Sequence, residues 1–126
     1  MYKYVAVVAA LALLEYVLIS LRTGQARAKY NVKAPATTGD PIFERHYRVQ
    51  QNTVEQLVIF LPSLFLFAYY LWPGIAALLG LVFIAGRFLY ARGYIADPEK
   101  RGTGFITGFV ATLILLLGGL LGALLA

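Results

Sequence analysis

A cation, an amide and an anion, Arg48, Asn52 and Glu55, stand at i, i+4 and i+7 within FERHYRVQQNTVEQLVIFLP, the stretch from Phe43 to Pro62. On a helix of 3.6 residues per turn they share one face, with Glu44 one turn earlier. Such a face suits a small zwitterionic ligand with several acidic groups: arginine takes carboxylates, glutamate an ammonium, and asparagine amide or hydroxyl contacts. From Leu57 onward the same helix is almost entirely Leu, Ile, Val and Phe. A soluble helix would not continue into such a run, and a simple membrane anchor would not begin with three convergent polar groups. A buried polar site at a bilayer boundary is implied. A second set, Arg87, Tyr90 and Tyr94, falls at i, i+3 and i+7 and also shares one helical face. Arg101 comes shortly after. The structural alternative is that these residues only snorkel and pair with one another, as Glu44 and Arg48 could at i, i+4.

The elements that must carry these residues are membrane spans. Of 126 residues 60% are hydrophobic and 13% charged, and the mean hydropathy is +0.73, where a soluble domain has about a quarter charged residues. Val5 to Leu21 is apolar except for Glu15 and Ser20 and is long enough to cross roughly 30 Å of hydrocarbon. A cleavable signal peptide is the rival reading, since Lys3 leads an apolar region and Ala26-Arg27-Ala28 mimics a cleavage site. The basic residues Arg22, Arg27, Lys29 and Lys33 argue against export of the chain beyond this span. Asn31 to Pro41 has loop chemistry and ends in Asp40-Pro41, an N-cap and then proline at the first helical position. The second helix is predicted from there to Trp72, kinked at Pro62. The third covers about Ile75 to Tyr94. Asp97-Pro98 repeats the cap-and-proline signal, so the fourth is predicted from Pro98 to Ala126 with Arg101 in its first turn. Gly104 with Gly108, and Gly118 with Gly122, form small-xxx-small pairs suited to close helix approach.

The fold class that results is an all-α integral membrane four-helix bundle, one domain over residues 1–126. Six of the 11 Lys and Arg residues lie in or beside the first connection and four around the third, leaving Lys3. Connections one and three are therefore expected in the cytoplasm, with both termini opposite. The net charge of +5 does not point to nucleic acid, because the basic residues flank apolar spans. There is no cysteine, so any thiol chemistry must come from a ligand. His46 is the single histidine, and no metal site is expected around it.

These motifs carry a resemblance. Phe43-Glu44-Arg45, Tyr47-Arg48-Val49-Gln50, Asn52 and Glu55 resemble the signature of the MAPEG family, the membrane-associated proteins in eicosanoid and glutathione metabolism. Thr37-Thr38-Gly39-Asp40-Pro41 and the segment Ala85 to Tyr94 resemble its leukotriene-synthase and microsomal glutathione transferase branches, and the similarity extends from Ala26 to Arg101. The resemblance implies a homotrimer, in a bacterial inner membrane or the endoplasmic reticulum, that binds glutathione between subunits as co-substrate and needs no metal. Its partner substrates would be lipophilic electrophiles or lipid hydroperoxides arriving from membrane lipid. By the same resemblance Arg48, Asn52 and Glu55 meet the γ-glutamyl end, Arg27 and Gln50 the glycyl end, and Arg87, Tyr90 and Tyr94 contribute from the third helix. Arg101 matches the arginine that activates the sulfur. Gln56 and Ala28 depart from the leukotriene-synthase pattern, where tyrosine and a second basic residue stand, and this favours a general transferase or peroxidase.

Two alternatives come from other classes. Glu15, alone inside the first span, would suit a small four-helix multidrug exporter, but such proteins have short connections and no polar face like that from Glu44 to Glu55. The plain reading of Glu15 is a neutral or paired acid at a helix interface. A non-catalytic lipid-binding scaffold is the other alternative, against which Arg101 stands together with Arg48 and Glu55.

Overall fold

A computed structural model describes residues 1–126. It contains four long helices: α1 (Tyr2–Tyr30), α2 (Pro41–Tyr70), α3 (Pro73–Ala96) and α4 (Gly102–Leu125), with a 3₁₀ turn over Pro98–Arg101. All four are long and apolar enough to cross a membrane. Their outward residues are apolar, including Leu14, Leu18, Val58, Leu78 and Leu124. That is the pattern expected where hydrocarbon is the solvent.

Helix α1 runs beyond the apolar stretch because Ala26, Arg27, Ala28 and Lys29 are strong helix formers. Asn31 stops it in the left-handed conformation (φ 58°, ψ 44°), its N–H returning to Arg27 O. Helix α2 starts where the Asp40-Pro41 signal places it. Asp40 Oδ1 accepts from the N–H groups of Ile42 and Phe43, both at 2.9 Å, and Glu44 Oε2 accepts from Gly39 N at 3.2 Å. It ends at Tyr70, two residues before the expected Trp72, because the Trp72-Pro73 step forces an extended residue before α3.

The α2–α3 pair is central. Helix α1 packs on both of its members, and α4 on both as well. The core lies in the apolar halves, where the rings of Phe60 and Phe83 stack with centroids 3.8 Å apart, surrounded by Leu64, Ala111, Leu115, Val5 and Val8.

The glycine pairs of α4 face inward. A Cβ on Gly104 would collide with the Tyr90 backbone nitrogen, and one on Gly86 would lie 2.6 Å from Gly108 N. Gly118 and Gly122 face Phe67, Tyr70 and Leu71 of α2. The close approach expected of these pairs therefore occurs within the subunit, with Gly86 of α3 opposite the first pair and α2 packed on the second. They are not a free stripe for a neighbouring copy.

Candidate functional site

The polar end of the bundle is built from the start of α2, the end of α3 and the 3₁₀ turn. Arg45 ties the first two together, donating from Nη1 to Ile95 O at 3.0 Å and Ala96 O at 3.2 Å. These carbonyls belong to the last turn of α3, which has no intrahelical donors for them. Sequence reasoning does not find Arg45. It stands in the Phe43-Glu44-Arg45 motif, but nothing in that motif says that it serves the carbonyls of another helix.

Beside this clamp a cavity of about 540 Å³ opens, lined by Thr37, Thr38, Glu44, Arg45, Tyr47, Arg48 and Tyr94 among others. Arg48 from α2 and Tyr94 from α3 thus face one space. Tyr94 stacks obliquely on Tyr90, with centroids 5.7 Å apart. The guanidinium of Arg101 lies 6.0 Å from the centre of the Tyr94 ring. Arg101 does not stand inside the first turn of a helix beginning at Pro98. The chain first makes a 3₁₀ turn, in which Asp97 Oδ1 accepts from Glu99 N at 3.1 Å, and Arg101 occupies the N-cap position of α4. Its Nη1 donates to Pro98 O at 2.6 Å. The cation still stands at the positive end of α4.

Arg87 is placed differently from Arg48. The expectation of a direct ligand contact does not match its position, because it is 1% exposed and lies inside the bundle. Its Nη2 donates to Asn52 Oδ1 at 2.8 Å and Thr53 Oγ1 at 2.9 Å, and its guanidinium lies 4.2 Å from the centre of the Tyr90 ring. The reason is the rotation of α3, which turns the face bearing Gly86, Arg87 and Tyr90 inward. Thr53 is a partner that sequence reasoning misses, since a lone threonine on a helix gives no signal of its own.

The remaining candidates do not join this cluster within one chain. Glu55 is exposed further along the Arg48 face, and Gln50 is half-buried on α2, about 200° around the helix from Arg48 at 3.6 residues per turn. Arg27 donates to Ala36 O at 2.7 Å and lies 4.7 Å from the centre of the Phe43 ring, where it holds the first connection against α2. The loop carbonyl it serves cannot be read from helical periodicity.

Comparison with known proteins bears on this arrangement. The chain is similar to an uncharacterised protein of Synechocystis, 52% identical over 119 residues, 94% of this chain and 87% of the relative. It is similar to human microsomal glutathione S-transferase 2, 46% identical over 102 residues, 80% of this chain and 69% of the relative. Bovine leukotriene C4 synthase is 39% identical over 100 residues, 77% of this chain and 67% of the relative. The family model for the MAPEG family matches residues 5–121. Four membrane-length helices, a polar cluster at one end of the central pair and a match over nearly the whole chain agree: this protein belongs to the MAPEG family.

Proposed function

We propose that this protein is a membrane-bound glutathione transferase that joins the glutathione thiolate to lipophilic electrophiles, with lipid hydroperoxide reduction as a second activity of the same thiolate. The observation that carries the reading is the cavity shared by Arg48 and Tyr94, with the Arg101 guanidinium beside Tyr94 at the head of α4. Similarity to a glutathione S-transferase and a leukotriene C4 synthase supports the same substrate class. The exporter alternative built on Glu15 loses its basis with membership of this family.

A free thiol titrates near pH 8.5 and is mostly protonated at neutrality, and a nearby cation or helix N-terminus lowers that value. Arg101 brings both influences to one place. The thiolate then attacks an electrophilic carbon, forming a C–S bond as the leaving group departs with its electron pair. The thiol proton goes to solvent. Placement and ionisation are the protein's share of the work.

The active form is a homotrimer, with Arg27 and Gln50 meeting the glycyl end of a glutathione whose γ-glutamyl end lies on Arg48, Asn52 and Glu55 of the neighbouring copy. Geometry supports this, because α2 carries Gln50 and Arg48 on opposite sides, so one ligand reaches both sets only if two copies supply them. Connections one and three face the cytoplasm, in keeping with the placement of Lys and Arg.

The test is conjugation of glutathione to a chlorinated dinitrobenzene by purified protein in mild detergent, with Arg101→Ala in parallel. Turnover is expected from the wild type, with a loss of about tenfold or more in the variant, the scale of one electrostatic contact made in the transition state. Absence of conjugation and of peroxidase turnover by wild-type protein that binds glutathione would leave only the scaffold reading.

A further inference from the structure

Arg87 is the largest fully buried side chain in the molecule. It lies about 14 Å along α3 from Ala96, nine residues at 1.5 Å each. A charge at that depth is costly unless neutralised and hydrogen-bonded. The two buried side-chain atoms without a hydrogen-bond partner are Glu15 Oε1 and Arg87 Nε, an acceptor and a donor. Two helices thus meet at one guanidinium: α2 supplies Asn52 and Thr53, and α3 carries the arginine.

A guanidinium offers only donors. An asparagine beside it must turn its carbonyl oxygen inward, and its NH₂ is then directed away from the arginine. Two orientations of the Asn52 amide, nearly equal in shape, become unequal in energy.

We propose that Arg87 is a positioning residue, which locks Asn52 as a hydrogen-bond donor toward the ligand and so selects an acceptor, the α-carboxylate of a γ-glutamyl group, at that place. The inference rests on the proposed function, that this site takes glutathione. It removes Arg87 from the ligand contacts. It also explains why an amide, rather than a second carboxylate, comes after Arg48 on this face.

The experiment measures binding of two probes to the purified protein by calorimetry: glutathione, and 4-aminobutyryl-cysteinylglycine, which lacks only that carboxylate. The variants are Asn52→Ala, the charge-neutral pair Glu15→Gln with Arg87→Met, all three together, and Asn52→Asp. The wild type should prefer glutathione by about tenfold or more, the scale of one hydrogen bond to a charged group. Asn52→Ala and the charge-neutral pair should each reduce that preference by a similar factor, and the triple variant should lose nothing further, because Arg87 acts through Asn52. Asn52→Asp should keep or raise thermal stability by pairing with Arg87 and still lose at least about tenfold in glutathione affinity, carboxylate then facing carboxylate. Additive losses in the triple variant would mean that Arg87 touches the ligand itself and would overturn the proposal. So would wild-type affinity in Asn52→Asp, a readout independent of whether the charge-neutral pair folds. Failure of the wild type to bind glutathione at all would overturn the functional reading and this inference with it.

Discussion

Arg101 spends one donor on Pro98 O and retains the rest of its five-donor fork for a ligand. If that fork faces the sulfur, Arg101→Ala should raise the pKa of bound glutathione by about one unit or more, equivalent to about 1.4 kcal/mol. Since the variant thiol is the harder to ionise, the deficit is greatest below the wild-type value and fades at alkaline pH. Affinity should change much less. Ultraviolet absorbance of the thiolate across a pH series measures this, and an unchanged titration with glutathione still bound would shift the role to Tyr90 or Tyr94. At this scale the sequence reveals which residues share a helical face better than it reveals where they point. Helical spacing is enough to gather Arg48, Asn52 and Glu55 on one face and Arg87, Tyr90 and Tyr94 on another. The inward turn of Arg87 depends on the rotation of α3 against α2, and the use of Arg27 by Ala36 O depends on a loop path. Neither is a property of a local pattern.

The helices begin nearly where cap chemistry puts them, since Asp40-Pro41 and Asp97-Pro98 each satisfy orphan N–H groups in a way that Asp side chains do locally. What the second signal does not separate is a 3₁₀ start from an α start, which share their first residues. The glycines of α4 are legible as contact points but not as to which helix they contact. Their contacts make a direct prediction. Gly104→Ala should destabilise the α3–α4 crossing by about 1–3 kcal/mol, the cost of overpacking, because its Cβ meets the Tyr90 backbone. Gly102→Ala has open space and a right-handed helical backbone, and should be neutral or stabilising by about 0.4–1 kcal/mol. Unfolding in mixed detergent distinguishes them, and equal effects would contradict the packing described.

For the molecule as a whole, span number and family are legible because apolar length and the Glu44-to-Glu55 motif survive without any tertiary information. Assembly and orientation call for measurement. Glutathione should raise the melting temperature by preferential binding to the folded state, and cysteinylglycine, lacking the γ-glutamyl end, should do so far less. Equal shifts would remove Arg48, Asn52 and Glu55 from the site. With no native cysteine, Lys33→Cys should resist an impermeant reagent applied outside intact cells while Ala126→Cys reacts; the reverse pattern would invert the topology. Native mass spectrometry in mild detergent should show trimers, and a population of monomers alone would contradict the intersubunit site. The two arginine links between the central helices, Arg45 to the end of α3 and Arg87 to Asn52 and Thr53, also have a mechanical consequence. Helices α1 and α4 send no arginine hydrogen bond into that pair, α1 being held at this end by Thr23 Oγ1 donating to His46 O and by Arg27 over the Phe43 ring, so a bilayer that is too thin or too thick should tilt the flanking helices first. The spacing of Arg48 from Tyr94 then stays fixed, and glutathione affinity should be nearly the same in short-chain and long-chain lipids, whereas turnover of substrates entering from the lipid should vary with thickness.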